Sequence, residues 1–383
     1  MLRALFPPAT ETRAQSTDWG TWPGESSGPS WSGAEVTAST SMQLLTVYGC
    51  VRLISDSIST LPVDVYREFP DGTKQEISTP VWLRSPTVDL SFSEWCSQVL
   101  SSLLLHGNAY VWVTRNESNA IVELVPLDPT VVTVRRVNGR KTFLIHGIDR
   151  GLEIVHIKGL MLAGSDVGYS PIEAARQSVG LGLAATKFGG EFFAGEGNMP
   201  GVIEAPRPIQ PAKATELAAM WRRKRSKGGR GLPGVLDDGM TWRPTGVTNE
   251  QAQFLATRNY TAAEIAGQMF LLDPSDLGIA VSGSSLSYAN LEQRNARRVQ
   301  VTLLPWIVRI EAALSGLLFN PRYMKFNLEG LLRGDTLSRY QAHSIGIASG
   351  FLLPEEARDI EDLPQIPGTP LPPGEEPSGT TDA

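Results

Sequence analysis

The sequence lacks the residue patterns that most catalytic classes require. It has two cysteines and four histidines in 383 residues, and neither set shows CxxC, HExxH or other zinc-binding spacing. No GxxxxGK[ST] phosphate loop occurs. Cys50 and Cys96 are far apart, which disfavours a disulfide framework and fits a reducing compartment. We therefore predict no catalytic residue, no metal site and no cofactor.

Long apolar runs and an excess of positive charge are also missing. The apolar start at Met1 to Phe6 is too short for a signal peptide or a membrane span. The formal net charge of −6 argues against a protein that mainly grips DNA without specificity, because that task needs a basic face. The length still allows two or three domains with cores of their own.

Two short motifs imitate functional signatures without their structural context. Gly24-Glu-Ser26-Ser-Gly28 matches the GxSxG hydrolase elbow, but no strand precedes it and no helix follows it. Gly180-Leu-Gly182-Leu-Ala-Ala185 resembles a dinucleotide fingerprint, but it lies inside a predicted helix rather than at a strand-to-helix turn. Neither motif supports an enzyme.

What the chain does contain is centred on a helix, a short loop and a longer helix, over residues 249 to 318. Apolar residues recur at helical spacing in both helices. Pro305 falls inside the second pattern, where it predicts a hinge through loss of the bond to the Val301 carbonyl. Such a stretch is either an ordinary helical hairpin or a flexible loop that moves or threads another molecule between two long helices.

The loop itself is rich in turn formers. Pro274 cannot continue a helix, and it disfavours helical geometry at the residue before it. Asp273 and Asp276 are the notable carboxylates; they form either solvated turns or a cation site. The loop residues that we select as candidates are Asp273, Asp276, Gly278, Ser282, Gly283 and Ser284.

Residues 37–170 are predicted to form one α+β domain. A helix is expected from Ser41 to Thr60 and another from Ser91 or Ser93 through Leu105, ended by Gly107. Alternating patterns predict strands between them and after them. The strands are expected at 63–66, 75–77, 108–113, 121–127, 130–137, 141–145 and 153–157, with an Asn138-Gly139 hairpin.

A glycine-rich helix and a compact unit follow. Ser170-Pro171-Ile172-Glu173 is a capping box that begins a helix reaching about Gly195. Its glycines predict a small face for close packing on a neighbour. The unit after it comprises a strand at 201–205, a helix at 212–227, and a hairpin that pairs Val235-Leu236 with residues 241–244. Short helices are expected further along, at 336–348 and 354–360.

The end of that second helix is strongly basic. Basic residues at a helix C-terminus suit the helix dipole and need no further explanation. The functional alternative is that this basic end of the helix contacts phosphate or an acidic partner. The residues concerned are Arg222, Arg223, Lys224, Arg225, Lys227 and Arg230.

Several stretches together resemble the portal proteins of tailed bacteriophages of the HK97 type, over about residues 40–360. Each is weak alone, but their order and spacing are specific. One departure is Leu271-Leu-Asp-Pro274, where the family usually has a Gly-Val-Pro-Pro-like turn. The matching stretches begin at Tyr48-Gly-Cys50, Gly107-Asn108-Ala109-Tyr110, Glu123-Leu124, Val155-His156-Ile157, Gly168-Tyr-Ser170-Pro171, Asn290-Leu291-Glu292, Arg309-Ile310-Glu311 and Leu332-Arg333-Gly334.

The resemblance implies an α+β, predominantly helical portal fold that assembles as a ring, usually a dodecamer. It implies a non-enzymatic channel at one capsid vertex. The implied parts are a disordered tail 1–36, a wing 37–170, stem helices 171–198 and 249–272, a clip 199–248, a tunnel loop 273–285, a bent wing helix 286–320, a crown 321–363 and a disordered tail 364–383.

The same resemblance implies the partners. Double-stranded DNA would be packaged through the ring by the terminase large subunit and would later leave through it. Head–tail connector proteins, the major capsid protein and scaffold protein would contact the ring in the virion, after assembly in the host cytoplasm. No membrane contact is implied. The alternatives are a hydrolase or metal-dependent nuclease of a phage-like particle, and a connector adaptor without a channel.

Overall fold

The computed structural model describes residues 29–137, 139–193, 201–206, 208, 210–225, 239–244, 250–279, 288–328, 336–361 and 363–364. They form a mixed α+β protein in which helical residues outnumber strand residues. The chain divides into two compact units, one ending at Asn327 and the other beginning at Leu328. This division falls within residues 321–363, which were predicted as the crown, because residues 322–326 pair with a strand of the first unit.

The first four helices of the first unit are α1 (Ala38–Ser41), α2 (Leu45–Ser59), α3 (Val81–Arg84) and α4 (Phe92–His106), with two strands between α2 and α3. The single helix predicted from Ser41 to Thr60 is in fact interrupted, because Leu44 has an extended backbone before α2. α4 follows the prediction: Ser91 and Glu94 form a capping box, and Gly107 ends the helix in the left-handed conformation.

The strands occur near the predicted positions, and all of their pairings are antiparallel. They are β1 (Val63–Glu68), β2 (Lys74–Ile77), β3 (Asn108–Arg115), β4 (Ile121–Leu127), β5 (Val132–Val137), β6 (Arg140–Ile145), β7 (Ile148–Asp149), β8 (Ile154–Lys158), β9 (Gly201–Glu204), β10 (Thr241–Pro244) and β11 (Arg322–Phe326).

The strands form small sheets rather than one large sheet. Their orders are β11-β1-β2, β4-β3-β8, β5-β6-β7 and β10-β9. Because Val63 pairs with Phe326, β11 belongs with the first unit and not with the C-terminal residues. The β5–β6 hairpin joins Val137 to Arg140 as predicted, although Asn138 itself lies outside the described residues.

The core of the first unit lies between α2, α4 and the sheets. Ile54, Ile58, Trp95 and Leu103 are fully buried. The indole Nε1 of Trp95 donates a 2.8 Å hydrogen bond to the carbonyl oxygen of Leu124. That bond satisfies the polar atom of a buried ring and joins α4 to β4.

The predicted long helix after Pro171 is divided into α5 (Pro171–Ala174) and α6 (Arg176–Phe193). A Cβ at Gly180 would collide with Ser30, and one at Gly182 would lie 2.9 Å from Leu44 Cδ2. The glycine face therefore packs closely on residues of the same chain at these two positions, and packing on a neighbouring subunit stays a prediction. Gly190 would meet no described atom within 4 Å.

The helix α7 (Pro211–Arg225) is followed by β10, which pairs with β9. The predicted hairpin partner Val235-Leu236 lies outside the described residues. The remaining helices of this unit are α8 (Glu250–Glu264), α9 (Tyr288–Arg297) and α10 (Leu304–Ser315). The residues between them build the candidate site.

The second unit contains α11 (Thr336–Ala348) and α12 (Pro354–Ile360), both at the predicted bounds. The two helices are joined by one carboxylate. Glu361 forms an ion pair with Arg339 and accepts a 3.1 Å hydrogen bond from His343 Nε2.

Candidate functional site

A π-helical turn stands on each side of the central loop. One covers Ile265–Met269 after α8, and the other covers Arg298–Leu303 before α10. Pro305 follows the second π turn directly, inside a helical run that is continuous from Tyr288 to Ser315. Its missing N–H leaves a carbonyl of the preceding turn without a helical donor, and the hinge at Pro305 stays a prediction.

The two π turns are linked through Leu271. This residue has a positive φ of 55°, which is uncommon for a bulky side chain. Thr302 Oγ1 donates a 2.5 Å hydrogen bond to the Leu271 carbonyl oxygen, and Leu272 N donates a 2.9 Å bond to Ala266 O. The chain thus turns sharply where the family resemblance departs from its usual sequence.

The first part of the predicted loop is a 3₁₀ turn, Pro274–Leu277. Asp273 caps it by accepting hydrogen bonds from Ser275 Oγ at 2.7 Å and from Ser275 N at 2.9 Å. These bonds lower the pKa of the Asp273 carboxyl. Gly278 ends the turn in the left-handed conformation. The candidates Ser282, Gly283 and Ser284 lie outside the described residues.

Both candidate aspartates face arginines of the bent helix. Arg294 Nε lies 3.6 Å from Asp273 Oδ2, and Arg298 Nη1 lies 3.9 Å from Asp276 Oδ1. Burial raises the pKa of Asp276, and Arg298 opposes that rise. The fold thus partly compensates both loop charges within the chain.

A cavity of about 440 Å³ lies between the loop base and the bent helix. Arg294, Arg297 and Arg298 line it together with the two aspartates. The sequence analysis did not single out these arginines. The available signal was their spacing of three and four residues, which places side chains on one helical face.

The loop base rests on α2. A Cβ at Gly49 would lie 3.1 Å from Leu277 Cδ2, so the close approach of α2 to the 3₁₀ turn leaves little room for a larger residue. Gly49 belongs to one of the stretches that carry the family resemblance. That stretch therefore contributes to loop position as well as to the core.

A second group of resemblance-bearing residues meets at Asn108. Its amide nitrogen donates to His106 O at 3.0 Å and to Gly168 O at 2.8 Å. Its amide oxygen accepts from Gly168 N at 2.6 Å and pairs with His156 Nε2 at 2.9 Å. Because Asn offers two donors and two lone pairs, these bonds use its full capacity.

His156 is held neutral in this cluster. Its ring stacks on Tyr110 with centroids 4.4 Å apart. Burial, reinforced by Lys158 and Lys141, lowers the pKa of His156 to about 3. Since the Asn108 amide oxygen can only accept, Nε2 carries the proton of the neutral ring.

The basic candidates of the predicted clip are only partly described. Arg222, Arg223, Lys224 and Arg225 form the C-terminal end of α7, where positive charge complements the helix dipole. Lys227 and Arg230 lie outside the described residues. The prediction of a partner contact here therefore stays a prediction.

The described ranges contain neither a metal-binding cluster nor a membrane-spanning helix. Within them, no three His, Cys, Asp or Glu side chains converge closely enough to hold a metal ion. None of the helices there combines the length and the apolar character that a bilayer span requires.

Comparison with known proteins identifies the family. The model of the phage portal protein family matches residues 45–362. A probable portal protein of Streptomyces phage phiC31 is 35% identical over 368 residues, covering 90% of this chain and 78% of the relative. The portal protein of Enterobacteria phage HK97 is 29% identical over 348 residues, covering 85% and 80%.

A solved structure supports the fold. A chain from the neck of an empty gene transfer agent (GTA) particle, computed with C6 symmetry, superposes with a TM-score of 0.57 at 22% identity. The match covers 86% of this chain and 94% of that one. Taken with the length of the family match, these similarities show that the chain belongs to the phage portal protein family, of the HK97 type.

Proposed function

We propose that copies of this chain close into a ring at one vertex of a phage capsid, and that double-stranded DNA passes through its centre. The terminase large subunit would drive DNA in through this ring, and the genome would leave by it. The ring would act as a structural channel without an enzymatic activity of its own. The single observation that carries the proposal is family membership over residues 45–362.

The copy number that we propose is twelve. A similar chain comes from a particle neck computed with C6 symmetry, and six-fold symmetry is compatible with a ring of six or of twelve copies. Closed rings of one chain use heterologous interfaces, in which two different surfaces of the subunit meet. The subunit must therefore expose apolar area on at least one side.

An apolar stripe on the bent helix is our candidate for that interface. Val301, Leu304 and Val308 are 41%, 37% and 50% exposed, at spacings of three and four residues. Leu271, 54% exposed, lies beside the same helix. Exposed apolar residues that continue along one face indicate a protein contact, and we assign this face to a second copy of the chain.

Within that ring, we propose that residues 273–285 line the narrowest part of the bore and that α7 contributes to the clip. The clip would bind terminase during packaging and a head–tail connector afterwards. The basic end of α7 supports this, because its charge exceeds what a helix dipole requires. The wing and crown would contact the major capsid and scaffold proteins, in the host cytoplasm during assembly and later in the virion.

Electron microscopy of the purified full chain tests the ring. We expect closed annular particles with a central hole. Val308→Glu should reduce them to smaller species, because it places a charge in the proposed interface. Arg52→Glu, on the exposed side of α2, is the matched control and should leave the rings intact. A wild-type protein that stays monomeric at high concentration would refute the proposal.

Replacement of Arg222, Arg223, Lys224 and Arg225 by alanine tests the clip assignment. Rings should form normally while terminase binding weakens, since only the partner surface has changed. Loss of the rings themselves would show that these residues act in self-association instead. Unaltered terminase binding by intact variant rings would remove the basis for the clip assignment.

A further inference from the structure

The cavity behind the loop is lined by more cationic donors than its aspartates can satisfy. Its charged lining comprises three arginines and two aspartates. Arg298 donates through Nη2 to Asn295 Oδ1 at 3.3 Å, while its buried Nε has no acceptor in the described part of the chain. A guanidinium has five N–H donors, so Arg298 keeps unused capacity inside the cavity.

Arg297 adds a second available cation at the cavity mouth. It is exposed, and among the described residues no hydrogen bond or ion pair to it occurs within 4 Å. Its charge is nevertheless close enough to help lower the pKa of Asp273, after the bonds from Ser275. Arg294 is the most fully engaged of the three, because it contacts both Asp273 and Ser275 Oγ.

We propose that this cavity is a phosphate-binding site, in which Arg297 and Arg298 take one phosphate group of DNA that passes the loop. The planar guanidinium suits phosphate oxygens because it donates two parallel N–H bonds. The loop aspartates hold the arginines in place between contacts. This inference rests on the proposed channel function and assigns a contact to it.

The pairing with aspartate sets how strongly the site holds its ligand. The Arg298–Asp276 distance of 3.9 Å is long for an ion pair, so a phosphate can compete for the same donors. With two carboxylates beside three guanidiniums, the excess is a single positive charge. A contact of that strength lets the duplex slide, whereas three unpaired arginines in every subunit would retain it.

The proposed channel function favours phosphate over a carboxylate of a neighbouring subunit. Either ligand would add one negative charge to a lining that has an excess of one positive charge, so charge does not distinguish them. DNA that passes the loop brings phosphate groups to it continually, whereas a subunit carboxylate would be a fixed contact. A permanent carboxylate ligand from a neighbouring subunit would contradict the proposal.

Fluorescence anisotropy with purified full-chain rings and a short labelled duplex tests the site at low salt. Arg297→Ala should weaken duplex binding roughly fivefold, at the upper end for an exposed charge pair, and flatten its salt dependence. Asp276→Asn should strengthen binding, because it frees Arg298. Weaker duplex binding by Arg297→Ala together with stronger binding by Asp276→Asn would indicate a site that contains both charges.

A matched pair on α2 controls for general charge effects. Arg52 and Asp56 form an exposed ion pair with a distance of 3.3 Å, and neither residue lines the cavity. Arg52→Ala and Asp56→Asn should each change duplex affinity less than twofold, so that net charge alone cannot explain the main result. Equal effects at both pairs would overturn the proposal.

Two further measurements separate the possible ligands. Inorganic pyrophosphate should displace the duplex from wild-type rings more effectively than from Arg297→Ala rings, if the site recognises phosphate itself. If Arg297→Ala instead breaks the rings in electron micrographs, the ligand is a subunit carboxylate and the proposal is wrong. Intact variant rings with unchanged DNA affinity would also refute it, while leaving the channel function standing.

Discussion

Thr302 Oγ1 donates a 2.5 Å hydrogen bond to the Leu271 carbonyl oxygen, and this bond links the two π-helical turns that flank the loop. Thr302 is 2% exposed and Leu271 is 54% exposed. The bond therefore joins the buried side of the bent helix to the surface residue at which the chain reverses.

Thr302→Val should lower the free energy of unfolding by about 1 kcal/mol, because the side chain keeps its shape but loses its donor. Thermal melting of the rings measures the effect. Thr60→Val removes an exposed hydroxyl that donates to Asp56 O and serves as the control, with a smaller expected change. A neutral Thr302→Val would show that the link contributes nothing to loop position.

The positive φ of Leu271 predicts that a substitution there will not lower the free energy of unfolding. Leu271→Gly should leave stability unchanged or raise it by up to about 1 kcal/mol, because glycine adopts this backbone conformation without strain. Leu272→Ala, at a 2% exposed position, should cost about 2–5 kcal/mol. Comparison of the two melting temperatures distinguishes backbone strain at Leu271 from packing at Leu272. Equal losses of stability in the two variants would contradict the assignment of strain to Leu271.

Acid should destabilise the first unit through His156. Its pKa is about 3 in the folded chain against an ordinary 6.5, so the unfolded chain takes up the proton first as pH falls. The stabilisation is complete above pH 6.5 and decreases by up to roughly 1.4 kcal/mol per pH unit between 6.5 and 3.

Thermal melting at pH 7.5 and pH 5 measures this dependence. His156→Gln should narrow the difference between the two melting temperatures, since the titrating group is gone. His146→Gln, in an exposed turn, is the matched control and should preserve the difference. An unchanged pH dependence in the His156 variant would show that another group titrates.

The two ends of α6 should respond differently to the same change. Gly180→Ala should destabilise the chain, because the new methyl group meets Ser30. Gly190→Ala meets no described atom within 4 Å and should stabilise the isolated subunit by up to about 1 kcal/mol through helix propensity. Melting curves test both; if Gly190→Ala also abolishes rings, the space beside it belongs to a neighbouring copy.

Local signals in the sequence were sufficient for many elements. The strand at 121–127 and the helices at 336–348 and 354–360 occur at their predicted bounds, because alternation, caps and prolines act over a few residues. The capping box at Ser91 and the glycine ending at Gly107 were found for the same reason.

Contacts between distant residues could not be predicted in this way. Pairing of β11 with β1 joins opposite ends of the first unit, and no local pattern specifies it. The Arg–Asp pairs and the left-handed Leu271 depend on how two helices pack. Family resemblance supplied the function and marked the loop, but the arginines behind it became a site only through the fold.

The saturation of Asn108 has a consequence for how the chain tolerates change. Aspartate at this position would lose both N–H donors, and glutamine would carry its amide one methylene too far. The backbone carbonyls of His106 and Gly168 would then lack their partner. Since α5 begins at Pro171, three residues after Gly168, the amide of one asparagine on β3 anchors the backbone that leads from the sheet into the next helix.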